Sequence, residues 1–261
     1  MQLRVGSVSL RLPSGSAAAE PRARCVLHWN EDRIMNETNI PASLLNAVRA
    51  DLEPVTPLPA PSRRLLGLVP LALILFFGPP TYWGWRANLA LLPNWTSWGL
   101  SALESLGGAA LLGLALRQAV PGLAVRRRWM WLAFTGAALL FASVQLTTAH
   151  VLPTPVDDAS SWRIAWECVF MELPFALPSL AISAWLIARA LPTRPALTGS
   201  AYGLAIGLMT DAGMRLFCVV DQPFHVFVAH GGVILLGATG GALTATLIER
   251  VKYQRLQTLL H

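Results

Sequence analysis

The chain has 261 residues, of which 54% are hydrophobic and only 13% are charged. Soluble domains carry about 25% charged residues, so this composition excludes an ordinary water-soluble globule. The net charge of +6 does not indicate nucleic-acid binding, because the basic residues fall in short groups between apolar runs, as in loops beside a membrane. We therefore predict an all-α, polytopic membrane protein that lies in the lipid bilayer and makes no direct contact with nucleic acid.

The first 34 residues differ in composition from the rest of the chain. They mix Ser, Gly, Ala, Pro and Arg without sustained periodicity, and they contain no continuous apolar core of the kind that a signal peptide needs. We expect residues 1–34 to be disordered, or to be an upstream extension of the gene with Met35 as the natural start.

A short amphipathic helix is predicted at residues 41–52. Its apolar side chains share one face, and they are Leu44, Leu45, Val48 and Leu52. A helix of about three turns is marginal alone in water, so it needs a surface on which to pack. Residues 53–61 then hold four prolines, which predict a stiff, extended spacer.

Six apolar segments follow, at 65–85, 97–117, 129–148, 164–188, 197–217 and 226–248. Each approaches the roughly 20 residues that a helix needs to cross a bilayer. If the N terminus lies in the cytoplasm, eleven basic residues near the segment ends fall inside and three fall at or near the outer side. The positive-inside rule therefore predicts that both termini are cytoplasmic, with a short tail at 251–261.

Glycines recur along the fifth and sixth segments, from Gly203 to Gly241. Small residues allow two membrane helices to approach closely, so we expect these glycines to mark a helix–helix contact. A substrate passage is the weaker interpretation, because the sequence contains no internal repeat or pair of broken helices.

Ionisable residues inside or close to the predicted spans are candidates for chemistry, and they are Glu104, Glu167, Glu172, Asp211 and Arg215. A charge there costs roughly 2.5–3.5 kcal/mol, so such residues usually face the bundle interior or water. Asp211 and Arg215 are four residues apart and are expected to pair on one helical face. They form either a structural ion pair or part of a ligand or proton path. The sequence contains no motif of a soluble enzyme, so we predict no catalytic activity.

The predicted orientation places several thiols and imidazoles in the outer leaflet. They are Cys168, Cys218, His150, His225 and His230. Thiolate and imidazole ligands suit soft or borderline metals, and two neighbouring thiols can also form a disulfide. A cysteine within a membrane also serves simply as a small apolar residue. A transient metal ion at Cys168, Cys218, His225 and His230 is thus the only cofactor that the sequence indicates.

Two stretches resemble a known family. Residues 51–61 (DLEPVTPLPAP) match the D-L-x-P-V-x-x-L-x-x-P signature of the NrsF-like anti-sigma factors, and Val120-Pro121-Gly122 is similar to the VPG turn of that family. The segment 197–249 is similar to its C-terminal region, and the predicted six-span layout agrees with it. Residues 1–34 have no counterpart there, and Gln118-Ala119 stands before the turn where the family usually has Leu-Ser.

The resemblance implies a bacterial inner-membrane protein that holds an extracytoplasmic-function sigma factor inactive. It implies that residues 35–64 bind the sigma factor in the cytoplasm and that residues 65–250 form a membrane domain that senses a signal. The expected sigma-binding residues are Leu44, Leu45, Val48, Asp51, Leu52, Pro54 and Val55. In that family two membrane cysteines are linked to the response to metals or oxidants, and Cys168 and Cys218 are the matching positions.

The mechanism that follows is a hypothesis: oxidation or metal binding at the two cysteines rearranges spans four to six and releases the sigma factor. Two other classes of function are alternatives. One is a small transporter or channel that uses Glu104, Asp211 and Arg215, and the other is a membrane oxidoreductase that uses the two thiols. Neither alternative explains the N-terminal helix and its proline spacer.

Overall fold

The computed structural model describes residues 59–151, 158–190 and 192–260, together with Ser43 and Asn46. Within these ranges the chain forms helices and no β-strand, which confirms the all-α prediction. Ser43 and Asn46 are helical and exposed. The other predictions for residues 1–58, namely the N-terminal extension, the amphipathic helix and most of the spacer, lie outside the described residues and stay predictions.

The described part of the chain contains seven α-helices of six or more residues. They are α1 (Pro61–Leu66), α2 (Val69–Trp83), α3 (Leu100–Gln118), α4 (Arg127–Val151), α5 (Asp158–Ala188), α6 (Pro195–Met214) and α7 (Gly231–Leu260). A π-helical turn, Trp95–Gly99, leads into α3. A short helical turn, Pro223–His225, and a second π-helical turn, Val226–His230, lead into α7.

Five helical stretches are long and apolar enough to cross a membrane, at Pro61–Trp83, Trp95–Gln118, Arg127–Val151, Trp162–Leu186 and Pro223–Arg255. They coincide with five of the six predicted spans. The remaining predicted span, 197–217, corresponds to α6, whose 20 residues extend over about 30 Å, enough to cross the hydrocarbon layer. The fold is therefore a polytopic membrane protein with about six transmembrane helices.

Helix α6 lies at the centre of the bundle. Fifteen of its 20 residues are buried, whereas leucines on its neighbours point outward: Leu73 of α2 is 52% exposed, Leu139 of α4 63% and Leu243 of α7 65%. A membrane protein presents large apolar side chains to lipid, and a helix enclosed by other helices does not need them. This agrees with the composition of α6, in which half of the 20 residues are Gly, Ala or Thr.

The contact between α6 and α7 depends on glycine. A Cβ atom added at Gly203 would overlap the backbone of Gly237, and one added at Gly199 would overlap the backbone of Gly241. The predicted close helix–helix contact is confirmed at Gly203, Gly237 and Gly241, and Gly199, which the prediction did not include, belongs to the same contact. Gly240 is different, because nothing lies within 4 Å of the position that its Cβ would occupy.

The turn after α3 also needs a glycine. Gly122 has a φ angle of +83°, in the left-handed region that residues with a Cβ atom rarely adopt. The amide of Leu123 donates a hydrogen bond to the carbonyl of Val120 at 3.1 Å and closes the turn. The Val-Pro-Gly sequence therefore has a conformational reason at its third position.

Candidate functional site

Four side chains from separate segments meet near one end of the bundle. Cys168 lies on α5, Cys218 lies in the loop after α6, His225 ends the short helical turn and His230 ends the π-helical turn before α7. The amide of Cys218 donates to the carbonyl of Met214 at 2.6 Å, so the chain continues to coil beyond the end of α6. Pro223 then starts the next helical turn, where a missing amide hydrogen is tolerated.

The distances among these side chains are short. The sulfurs of Cys168 and Cys218 are 3.7 Å apart, and the Cys218 sulfur is 3.5 Å from Nε2 of His225. One ligand atom from each of the four residues lies within 4.8 Å of the others, and all four side chains are buried. Both cysteines are free thiols. The sequence predicted these four residues as a set, and the fold brings them together.

The spacing fits a tetrahedral metal ion. With Zn–S bonds of about 2.3 Å and Zn–N bonds of about 2.05 Å, tetrahedral angles place two sulfurs about 3.8 Å apart and a sulfur and a nitrogen about 3.5 Å apart. The observed distances of 3.7 Å and 3.5 Å agree with both values. The two distances to Cys218 therefore suit a zinc-sized ion, and the wider pairs in the cluster, within 4.8 Å, would have to draw closer around it.

His230 has the environment of a metal-binding histidine. Its Nδ1 donates a hydrogen bond to Oδ1 of Asp211 at 2.5 Å, while its Nε2 is buried and has no hydrogen-bond partner among the described residues. The other oxygen of Asp211 accepts a hydrogen bond from Nε2 of Gln145, also at 2.5 Å. Metal-binding histidines typically donate their second ring N–H to a carboxylate, which fixes the tautomer and the ring orientation. Asp211 and Gln145 thus extend the site from α7 to α6 and α4.

The sulfur of Cys218 lies in surroundings that favour the thiolate. The Cys168 thiol and the His225 ring hydrogen bond to it, and these two groups, together with the charge of the nearby His230 ring, lower the pKa of Cys218 well below that of a free thiol, against the opposing effect of burial. The thiolate is the form that binds metals and attacks oxidants.

A cavity of about 300 Å³ gives access to the two sulfurs. Cys168 and Cys218 line it together with Trp83, Glu167 and Phe217, among others. Its volume is large enough for a hydrated ion or a small oxidant to approach, because a water molecule occupies about 30 Å³ in the liquid. The two cysteines are therefore buried within the bundle but adjacent to open space.

An ion pair that the sequence did not predict lies beside the same cavity. Arg86 donates to both carboxylate oxygens of Asp221, and the two side chains are 2% and 8% exposed. The amide of Arg86 also donates to the carbonyl of Leu216 at 2.9 Å. Burial raises the pKa of Asp221, and the hydrogen bonds from Arg86 oppose that shift. The pair fixes the Cys218 loop to the segment after α2.

Two of the predicted positions lie outside the cluster. His150 is exposed near the end of α4. Glu167 is also solvent-accessible and forms an ion pair with Arg163 at 3.4 Å, one helical turn away. Both therefore belong to the surface of the bundle rather than to the thiol–imidazole group.

The expected ion pair between Asp211 and Arg215 is wrong in its partners. Asp211 contacts His230 and Gln145, whereas Arg215 donates to the hydroxyl of Ser101 and to the carbonyls of Thr96 and Val144. Polar groups from other segments, including two backbone carbonyls, take the place of the local pairing that the spacing favours. Glu104 and Glu172 are also buried, at 0% and 1% exposure.

Comparisons with known proteins identify the family. A family model described as "Negative regulator of sigma F" matches residues 49–250. The chain belongs to this family. It is also similar to the anti-sigma-F factor NrsF of Caulobacter vibrioides (strain NA1000 / CB15N), with 31% identity over 228 residues that cover 76% of this chain and 94% of that protein. No solved structure matches the chain.

Membership of the NrsF family confirms the resemblance seen in the sequence. The family consists of anti-sigma factors, which are regulatory proteins rather than enzymes. The matched range, residues 49–250, includes the residues of the thiol–imidazole cluster and the spans that carry them.

Proposed function

We propose that the chain is a membrane-bound anti-sigma factor that holds an extracytoplasmic-function sigma factor at residues 35–64. Metal binding at Cys168, Cys218, His225 and His230 would release it. Family membership supports the anti-sigma role. The observation that carries the sensing role is the approach of four ligand atoms to within 4.8 Å of one another, from separate segments of the chain.

The donor set defines the class of metal. Two thiolates and two neutral imidazoles suit soft or borderline ions such as Zn²⁺ or Cd²⁺, and they do not suit Mg²⁺ or Ca²⁺, which prefer oxygen. Each thiol loses its proton when the metal binds. A disulfide between the sulfurs would be the oxidative counterpart of this step, but it would give no role to the unpartnered Nε2 of His230. Metal binding uses all four side chains, so it is the proposal that we favour.

Close contacts lead from the site through α6 and α2 toward α1, which overlaps the end of the proposed sigma-binding segment in the chain. Asp211, which orients His230, lies two residues before Gly213 on α6. A Cβ atom at Gly213 would overlap the backbone carbonyls of Leu75 and Phe76 on α2. The backbones of α6 and α2 are therefore in direct contact at this point. Helix α2 continues back through α1 to the proline spacer. If metal binding moves α6, it would therefore also move α2 and α1, and α1 contains the last residues of the proposed sigma-binding segment, 61–64.

Release of the sigma factor requires that the two states of the protein differ in metal affinity. A metal ion shifts an equilibrium between sigma-bound and sigma-free states only if it binds the sigma-free state more tightly. Moving the ratio from 1:99 to 99:1 requires a difference of about 10⁴-fold in affinity. Four direct ligands that form a closed site in one state and a distorted site in the other are a physical source for such a difference.

Metal binding can be tested on the detergent-solubilised full chain. Titration with Cd²⁺ should produce ultraviolet thiolate-to-metal absorbance in the wild type and not in Cys168→Ser/Cys218→Ser. The change His230→Gln should weaken Cd²⁺ binding while the absorbance persists at saturation. His150→Gln is the matched control, since that histidine lies outside the cluster. Wild-type affinity in His230→Gln would contradict a four-ligand site.

The sigma-binding segment can be tested separately. The full chain should capture one of the purified extracytoplasmic-function sigma factors of its source organism. Leu44→Asp/Val48→Asp should abolish capture, because charges would replace apolar anchors of a helix that binds in a groove. Asn46→Asp adds a charge to the same segment at an exposed position and should leave capture unchanged. Equal loss in both variants would show that charge alone, and not the apolar face, decides binding.

A further inference from the structure

A second cavity lies elsewhere in the bundle, between α5, α6 and α7. Its volume is about 310 Å³, and its walls are almost entirely apolar, with Leu177, Leu180, Gly203, Leu236 and Gly240 among the lining residues. Leu177 and Leu236 are 57% and 66% exposed, so the cavity opens toward the lipid-facing surface. Its α5 wall begins at Leu173, five residues after Cys168, and runs away from the thiol–imidazole site.

Among the described residues, two polar groups lack a hydrogen-bond partner: one lines the cavity, and the other, on α1, acts electrostatically on the first. Tyr202 lines the cavity and is 1% exposed, and its hydroxyl has no partner among the described residues. Nη1 of Arg64 is also buried without a partner there, although Nη2 of the same guanidinium donates to the carbonyl of Leu186 at 3.3 Å. Arg64 and Tyr202 are close enough to interact electrostatically. Buried polar groups are normally hydrogen-bonded, so these two indicate a missing acceptor.

We propose that this cavity binds an anionic phospholipid of the surrounding bilayer. The phosphate would accept hydrogen bonds from Arg64 and Tyr202, and an acyl chain would lie along the apolar wall formed by α5, α6 and α7. A guanidinium is the side chain best suited to phosphate, which it binds through parallel N–H donors. Basic pockets between membrane helices on the cytoplasmic side bind anionic head groups, and Arg64 lies on that side in the predicted orientation.

The absence of large side chains from this wall gives the acyl chain its space. Gly240 is half-buried and has nothing within 4 Å of its Cβ position, whereas Gly203 and Gly237 on the same pair of helices are in tight contact. Helices α6 and α7 are therefore in close contact at Gly203 and Gly237, and a groove lies next to this contact at Gly240. An acyl chain from the membrane fills such a groove without any cost of transfer from water.

The position of Arg64 connects this site to regulation, and this step alone rests on the proposed function. Arg64 lies in α1, directly after the proline spacer that precedes the membrane domain. A phosphate held by Arg64 would fix α1 against the bundle. The membrane's content of anionic lipid would then be a second influence on the sigma-binding segment, independent of the metal.

The test uses the purified full chain in detergent with added phosphatidylglycerol or phosphatidylcholine. Native mass spectrometry counts the lipid molecules retained per chain. We expect phosphatidylglycerol to be retained at least about tenfold more strongly, because both lipids carry the phosphate but only phosphatidylcholine also carries a cationic ammonium group, which opposes the charge of Arg64. Arg64→Gln and Tyr202→Phe should each reduce that preference, whereas Arg63→Gln, which removes a neighbouring exposed arginine, should not.

A second pair of variants tests the cavity itself. Gly240→Leu fills the groove and should abolish retention of phosphatidylglycerol. Gly232→Leu is the matched control, because Gly232 lies on the same helix, also has nothing within 4 Å of its Cβ position and does not line the cavity. If Arg64→Gln did not fold, the comparison of Gly240→Leu with Gly232→Leu, together with Tyr202→Phe, would still test whether the cavity binds the lipid.

Two outcomes would overturn the proposal. Equal retention of both phospholipids, unchanged in Gly240→Leu, would show only lipid bound around the outside of the bundle. Displacement of phosphatidylglycerol by equimolar oleate, with equal dependence on Arg64, would assign the site to a free carboxylate instead of a phospholipid. Both results leave the metal site and the sigma-binding segment unaffected, so the failure of this proposal is distinguishable from failure of the proposed function.

Discussion

The change Asp211→Asn separates the metal site from the packing around it. Asp211 is fully buried and accepts two hydrogen bonds of 2.5 Å each, from His230 and from Gln145. Asparagine has nearly the same shape. Its oxygen can still accept from His230, and its amide can donate to Gln145 if the Gln145 amide rotates by half a turn. The variant therefore loses the negative charge while keeping both contacts.

The expected effect follows from that loss of charge. Hydrogen bonds to a carboxylate are about twice as strong as neutral ones, and the charge makes the opposite ring nitrogen of His230 a better metal ligand. Changes to such supporting residues typically weaken metal binding by about 10–100-fold, or roughly 1.4–2.7 kcal/mol. We expect Asp211→Asn to bind Zn²⁺ within that range of reduced affinity, while the metal-free protein stays folded.

The assay is competition for Zn²⁺ between the solubilised full chain and a chromophoric chelator. Thr210→Ser is the control, because Thr210 is equally buried and its hydroxyl bonds only to the carbonyl of Ile206 on its own helix. Asp211→Ala, which removes the acceptor from His230 altogether, should weaken binding further than Asp211→Asn. Wild-type affinity in both Asp211 variants would show that His230 is not a metal ligand that Asp211 orients.

Three further predictions concern the stability of the bundle. Unfolding on heating is measured with a thiol-reactive dye, which reacts with the buried cysteines once they become exposed. Arg86→Leu should destabilise the fold by about 3–5 kcal/mol because it leaves the Asp221 carboxylate buried without this partner, and Arg86→Leu/Asp221→Leu should recover most of the loss. Gly203→Val should lower the unfolding temperature sharply because its side chain would overlap the α7 backbone, whereas Gly136→Val, which faces open space, should not. Gly122→Ala should cost about 1–2 kcal/mol because of its positive φ angle, and a smaller change would show that the turn relaxes.

The membrane-spanning helices were the most predictable part of the molecule. In lipid every backbone polar group must be satisfied within the segment, so long apolar runs form helices irrespective of their neighbours. The two π-helical turns were not foreseen, because Trp95–Gly99 and Val226–His230 carry no signal that distinguishes them from ordinary helix. Such turns often occur at functional sites, and the second of them positions His230.

The thiol–imidazole site was predictable as a set but not as a geometry. Alternation of the spans placed Cys168, Cys218, His225 and His230 at the same side of the membrane, which was sufficient to group them. Whether their side chains meet depends on how each helix is rotated, and hydropathy carries no information on rotation. The partner of Asp211 shows the same limit, since a histidine from another helix replaced the arginine that local spacing favours.

Control of the sigma factor by metal is tested most simply by release of a captured sigma factor from the full chain with Cd²⁺. The solubilised protein, immobilised with its bound sigma factor, is washed with increasing Cd²⁺, and the eluted sigma factor is measured. We predict release from the wild type at concentrations that saturate the thiolate absorbance, and retention in Cys168→Ser/Cys218→Ser. Release from both proteins at the same Cd²⁺ concentration, or from neither, would show that metal binding at the two cysteines does not control the anti-sigma function.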